Sequence, residues 1–370
     1  MKQIQIMIKP ASSLCNLRCG YCFYHETAGN RLVPSYGIMT EEIRDGILGT
    51  LSQALGPGDR LALSFQGGEP CMAGLSWFQD FTAVVRRMLP GVQLQYAFQT
   101  NGTLLTEEWC RFLHEEKVLT GISLDLPQDS HEYARVDADG KGTYKRVVQA
   151  ISLLRKHRVD FNVLCTLTNP AARHPEKVYQ AIRALDLKYV QFTPCLDSGE
   201  TEGKDPFCLT PERFASFYRG IFPLWLKDLK AGHYISIKLF DDLVRLLAFG
   251  EINACGLTGF CAPQLVIEAD GSAYPCDFYC TDAYRLGNLA EEQLDELLSR
   301  SLSSPQKQKA PLPAGCGTCP YLKLCGGGCK RMQRQVFFGK DPDFCGYRQF
   351  LTTAMPELLM LAREERHSGR

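Results

Sequence analysis

Cys15-Asn16-Leu17-Arg18-Cys19-Gly20-Tyr21-Cys22 decides the reading of this chain. Three thiols fall within eight residues, directly after Gln3–Ile8, where polar and apolar residues alternate as in a strand. Thiolates are soft ligands, and iron–sulfur clusters select them. The next cysteine is Cys71, deep in another strand–loop unit, so the loop supplies three ligands and not four. Three ligands leave one iron of a cubane open, as a catalytic metal site requires. The competing reading is a zinc site of three cysteines completed by His25.

Outward from this loop, strand-like and helix-like segments alternate. Strands are expected at Gln3–Ile8, Leu61–Phe65, Gln93–Gln99, Gly121–Leu124, Phe161–Thr166 and Tyr189–Thr193. Amphipathic helices are expected at Thr40–Leu55, Trp77–Leu89, Thr106–Glu116, Tyr144–His157 and Glu176–Leu185. Thr210-Pro211 is a helix start, a cap followed by Pro at the first helical position. Six such repeats imply an α/β fold with a parallel sheet and right-handed crossovers, as an open six-unit barrel or a doubly wound sheet. The strand ends read Phe65-Gln66-Gly67-Gly68-Glu69-Pro70, Gln99-Thr100-Asn101-Gly102 and Ser123-Leu124-Asp125. Parallel α/β folds bind ligands at the carboxyl ends of their strands.

Composition bounds the function. The chain has 370 residues with 41 Lys and Arg against 41 Asp and Glu. That balance argues against bulk attraction to nucleic acid or to an anionic membrane. No apolar run is long enough to span a bilayer, and the alternating N-terminus is no signal peptide, so a cytoplasmic protein is expected. The 17 cysteines are an odd number in a long chain, which argues against a disulfide framework.

From about residue 250 the texture changes to Gly, Cys and short turns, with helical periodicity only at Glu291–Leu298 and a polar connector at Ser301–Pro313. A stretch such as Cys316–Cys329 cannot build an apolar core, and metal ligation is the available substitute. Cys255, Cys261, Cys276, Cys316, Cys319, Cys325, Cys329 and Cys345 are eight thiols, enough for two cubanes. Two zinc ribbons are the alternative that the C-x2-C spacing alone allows. Cys280 is a spare thiol that could compete as a ligand. Cys110 and Cys165 read as buried small hydrophobes.

The C-x3-C-x2-C spacing after a first strand, with Tyr21 before its last cysteine, resembles the signature of the radical S-adenosylmethionine (SAM) superfamily. The resemblance implies a partial (βα)6 TIM-like barrel in which Cys15, Cys19 and Cys22 hold a [4Fe-4S] cluster. SAM would chelate the open iron and yield a 5′-deoxyadenosyl radical on one-electron reduction. Gly67-Gly68-Glu69-Pro70 resembles the motif that binds the SAM amino group, since an ammonium needs nearby oxygen acceptors and glycines let the backbone approach. Arg135 matches a guanidinium that meets the SAM carboxylate. Tyr21, Asn101 and Ser123 are implied as further cofactor contacts. The C-terminal spacing resembles the SPASM extension. That resemblance implies one [4Fe-4S] cluster on Cys255, Cys261, Cys276 and Cys329, and another on Cys316, Cys319, Cys325 and Cys345. The expected division is a SAM domain over 1–235 and a SPASM domain over 236–370.

Cys22-Phe23-Tyr24-His25, Ile8-Lys9-Pro10-Ala11-Ser12-Ser13, Tyr36-Gly37-Ile38-Met39, Gln99-Thr100-Asn101-Gly102 and Tyr274-Pro275-Cys276-Asp277-Phe278-Tyr279 narrow the match further. They resemble the anaerobic sulfatase-maturating enzymes, which oxidise an active-site Cys or Ser of a sulfatase to Cα-formylglycine. The implied chemistry takes a hydrogen atom from the substrate Cβ, an electron to an auxiliary cluster and a proton to a base. Asp277, beside Cys276, is the expected base, with Tyr24, Gln66 and Gln99 lining its pocket. The implied partners are a sulfatase polypeptide and an electron donor such as flavodoxin or ferredoxin. The alternatives are another SPASM peptide maturase, such as a thioether-forming one, and a non-catalytic metal protein.

Overall fold

The computed structural model describes residues 1–197, 205–251, 255–309, 311–341 and 343–368. Its strands in chain order are β1 (Gln3–Ile8), β2 (Arg60–Phe65), β3 (Gln93–Thr100), β4 (Leu119–Ser123), β5 (Phe161–Leu167), β6 (Tyr189–Pro194), β7 (Ser236–Ile237), β8 (Leu265–Ile267), β9 (Ser272–Tyr274) and β10 (Gly287–Asn288). The chain forms two compact units. The first contains 1–123, 135–161 and 262–308; the second contains 124–134, 162–261 and 309–370.

In the first unit β1, β2, β3 and β4 pair in that order, all parallel. Alternation decides their faces. Ile6, Ile8, Leu61, Leu63, Phe65, Tyr96 and Phe98 are buried, while Gln5, Met7, Ala62, Ser64, Gln95 and Ala97 are not. Helices Glu41–Ala54 and Leu75–Met88 bury Ile47, Leu51, Phe78 and Phe81. Phe65 meets Phe78 and Phe81 edge-on, at 5.0 and 5.2 Å between ring centroids. Thr40 and Thr106 cap their helices by accepting from the backbone N–H three residues on.

The chain crosses between the units more than once and returns to the first after residue 261. β8 pairs parallel to β1 on its other edge, and β9 and β10 follow antiparallel, so residues 262–308 belong with the N-terminal strands. This return places Glu268 and Asp277 in the same unit as the first cysteine loop.

In the second unit β5, β6 and β7 pair in parallel. Helix Pro211–Lys230 begins with Thr210 as cap and Pro211 in its first turn. Its Tyr218 and Phe222 pack with Phe240 and Phe350. Phe350 belongs to the 23-residue helix Gly346–Ser368. This helix corrects the expectation of turns alone, beyond 291–298, after residue 250. Phe350, Leu351, Ala354, Leu358 and Ala362 are buried at three-to-four spacing, an apolar stripe that survives Pro356 inside the helix.

Candidate active site

The first cysteine loop is stitched to two strand ends. The Gly68 N–H donates to Ser12 O at 2.8 Å, and the Glu69 N–H to Leu14 O at 2.7 Å. A Cβ on Gly68 would stand 2.1 Å from Leu14 O, and Gly67 has φ +119°, so both glycines are needed for this approach. The Leu17 N–H donates to Cys15 Sγ at 3.4 Å. Burial pushes the Cys15 thiol up, and that N–H works against it. Cys22 ends the loop as the cap residue of helix Phe23–Gly29.

The other expected cofactor contacts fall into two groups. Asn101 Nδ2 donates to Asn16 Oδ1 at 2.9 Å and lies 3.9 Å from Cys15 Sγ. Arg135 sits over the Tyr21 ring at 5.4 Å, and its neighbouring chain pairs with the loop: the Arg18 N–H donates to Val136 O at 2.7 Å. These residues are brought to the loop. Ser123 accepts from Gln99 Nε2 at 3.0 Å. Glu69 is turned into the fold. Its carboxylate accepts from Asn101 N, Thr100 Oγ1 and Cys71 N at 2.7, 2.8 and 3.0 Å. A carboxylate has about four acceptor positions, so roughly one is left for any ammonium.

Asp277 begins a short turn of 3-10 helix after Cys276. The Tyr24 hydroxyl donates to Asp277 Oδ2, and it lies 3.4 Å from Gln66 Oε1. Burial holds the Tyr24 phenol well above its ordinary range, and the Asp277 charge adds to this, so it stays protonated as a donor. Three of the four expected catalytic residues, Tyr24, Gln66 and Asp277, therefore meet. Gln99 makes its contact with Ser123 instead.

The sequence reading missed the group beneath Asp277. Lys9 Nζ lies 3.1 Å from Asp277 Oδ1 and 3.4 Å from Glu268 Oε1. Arg31 Nη2 pairs with Glu268 Oε1 at 2.6 Å, and Ser12 Oγ donates to Glu268 Oε2 at 2.9 Å. Burial works to lower the Lys9 pKa, but the Asp277 and Glu268 carboxylates outweigh it and hold the ammonium charged. Glu268 is held below its ordinary value: burial opposes ionisation, and Lys9 and Arg31 prevail. The available signal was a charge directly ending each of two apolar runs, Ile6-Met7-Ile8-Lys9 and Leu265-Val266-Ile267-Glu268. Cys280 is fully buried with Val266 and Tyr274, and burial pushes its thiol up to about 12.

In the second unit Cys316, Cys319, Cys325 and Cys345 line one cavity, with Phe337 and Arg348 beside them. Burial pushes the Cys325 thiol up, the Gly327 N–H works against it, and Cys345, Cys319 and Cys316 add to the rise. The Gly327 N–H donates to Cys325 Sγ and the Arg348 N–H to Cys345 Sγ, at 3.5 and 3.4 Å. Four sulfurs around a cavity, with backbone donors on two of them, fit a cluster that needs thiolate ligands and sulfur hydrogen bonds. Cys255, Cys261 and Cys329 belong to the same unit. The Cys329 N–H donates to Gly256 O at 2.8 Å, and a Cβ on Gly259 would stand 2.4 Å from Gly326 O. Cys276 belongs to the first unit.

Fold and site together define a radical SAM protein with an iron–sulfur extension. The model of the radical SAM superfamily matches residues 10–192, and that of SPASM, an iron-sulfur cluster-binding domain, matches 261–320. The cysteine-type anaerobic sulfatase-maturating enzyme of Clostridium perfringens (strain 13 / Type A) is 38% identical over 98% of this chain and 99% of its own. That of Clostridium novyi is 34% identical over 98% of both. A solved structure of native anSMEcpe with bound AdoMet and Cp18Cys peptide superposes with a TM-score of 0.87 at 35% identity, covering 98% of this chain and 99% of that one. The chain belongs to the family of anaerobic sulfatase-maturating enzymes. Among the described residues no helix is long and apolar enough to cross a membrane.

Proposed function

We propose that this protein oxidises an active-site Cys or Ser of a sulfatase polypeptide to Cα-formylglycine without oxygen. The observation that carries this reading is the Tyr24–Asp277 hydrogen bond, which joins the segment after Cys22 to the segment after Cys276. It sets a carboxylate between the first cysteine loop and an auxiliary ligand, where a substrate side chain must lose a hydrogen atom, an electron and a proton.

Cys15, Cys19 and Cys22 would hold the SAM-binding cluster. Cys255, Cys261, Cys276 and Cys329 would hold a second [4Fe-4S] cluster, and Cys316, Cys319, Cys325 and Cys345 a third. When bound, SAM and these clusters supply hydrogen-atom abstraction and an electron sink. The chain's own residues do the rest. Gly67, Gly68, Glu69, Asn101, Ser123, Tyr21 and Arg135 bind and orient SAM. Asp277 takes the proton from the substrate thiol or hydroxyl, held by the Tyr24 hydroxyl while Gln66 and Gln99 shape the pocket. Asp277 suits this task because its side chain keeps 15% exposure, enough for a substrate group to reach it. The SAM-binding and SPASM functions are assigned to 1–235 and 236–370. The protein works in the cytoplasm with a reduced flavodoxin or ferredoxin as electron donor.

The test is anaerobic incubation with SAM, a reductant and a sulfatase-motif peptide, read by mass spectrometry. Formylglycine is the expected product. A thioether crosslink in its place would transfer the chain to another class of peptide maturase.

A further inference from the structure

We propose that Lys9 is a positioning residue for the proton-accepting step, fixing the Asp277 carboxylate from beneath. The proposal rests on the reading of Asp277 as the base.

Lys9 directly follows β1, and its N–H donates to Ile267 O at 2.8 Å, so its backbone is anchored to the end of β8. Its side chain is fully buried, yet it ends in a charge. Burying a lysine is costly unless a partner requires it. Glu268 alone does not account for it, because Arg31 also meets that carboxylate, at 2.6 Å, and Ser12 donates to its other oxygen. Counting charges makes the same point. Arg31 balances Glu268, which leaves Lys9 to balance Asp277.

Geometry agrees with this assignment. Tyr24 holds Oδ2 of Asp277, and the Lys9 ammonium stands 3.1 Å from Oδ1. The same ammonium lies over the Tyr24 ring, 4.6 Å from its centroid. Lys9 therefore touches both the carboxylate and the residue that orients it. Exposure rises in order along the network: Lys9 0%, Glu268 1%, Asp277 15%. A substrate group can reach Asp277 but not Lys9, so Lys9 acts through Asp277.

The experiment compares the cluster-loaded wild type with Lys9→Met, Asp277→Asn and the double variant. It reads iron per chain, SAM affinity, the peptide KM, and the ratio of aldehyde peptide to 5′-deoxyadenosine. Lys9→Met is expected to keep iron, SAM affinity and KM, and to lower the ratio roughly a hundredfold, as misplacement of a reacting group does. The double variant is expected to be no worse than Asp277→Asn alone, because the two residues act as one unit. A normal ratio in Lys9→Met, or losses that multiply in the double variant, would overturn the proposal. Lys9→Gln is the second variant. Loss of iron or solubility in both Lys9 variants would assign the lysine to folding and overturn it equally. A normal ratio in Asp277→Asn is a different failure, that of the base assignment itself.

Discussion

The Tyr24 hydroxyl donates to Oδ2 of Asp277 across 253 residues of sequence. The contact exists because β8 returns to the edge of β1, which carries the turn after Cys276 to the helix after Cys22. The Phe23 and Phe278 rings, 4.9 Å apart, pack alongside it. One pair of neighbours thus couples two cysteine motifs that the sequence keeps far apart.

Asp277→Asn is nearly isosteric and removes only the proton-accepting charge. Iron and SAM binding should remain, and 5′-deoxyadenosine should still form. Formylglycine should fall by roughly two to four orders of magnitude, the range for a lost general base. The check is the yield of each product from the same anaerobic reaction.

Gly68→Ala puts a methyl group where Leu14 O stands, 2.1 Å away. The cysteine loop must then move off the end of β2. SAM affinity should fall at least about tenfold, roughly 1.4 kcal/mol, by calorimetric titration. An unchanged affinity would show that the stitch between loop and strand does not shape the SAM site.

Cys325→Ala removes one of the four sulfurs around the second unit's cavity. Iron should drop from about twelve to about eight per chain if three cubanes are bound. Limited proteolysis should then cut the 309–345 region faster, because ligation there substitutes for apolar burial. Cys110→Ala, by contrast, should leave iron unchanged, since Cys110 lies buried in helix Glu107–Glu115 with Trp109 and Leu113.

Tyr24 gives a pH dependence with a definite sign. Burial and the Asp277 charge hold its phenol well above 10.0. In the unfolded chain the phenol ionises first as pH rises, so over that range the native state binds more protons. Its contribution to stability is complete below about pH 10 and is lost as pH climbs toward the folded value. Tyr24→Phe should therefore show a shallower fall in melting temperature between about pH 9 and about pH 11 than wild type. Parallel curves would remove the phenol from the buried network.

Much of this was legible in the sequence, for identifiable reasons. The strands from Gln3 to Thr193 announce themselves by period-two burial, and their helices by apolar stripes. The cysteine loop and the adjacency of Asp277 to Cys276 are local facts. What the sequence concealed is long-range. Lys9 and Glu268 each look like an isolated charge until β8 pairs with β1. Glu69 reads as a free acceptor until Thr100 and Asn101 fold onto it. The helix Gly346–Ser368 carried a readable stripe, Phe350 to Ala362, overshadowed by the cysteine-rich stretch before it and by Pro356.

The central claim is that a substrate Cβ–H is broken here and that its carbon becomes the aldehyde. It is tested most directly with a sulfatase-motif peptide deuterated at the Cβ of its cysteine, incubated anaerobically with the reduced, SAM-loaded protein. The account predicts deuterium in the 5′-deoxyadenosine and formylglycine in the peptide, in matching amounts. Unlabelled 5′-deoxyadenosine accompanied by unmodified peptide would contradict it.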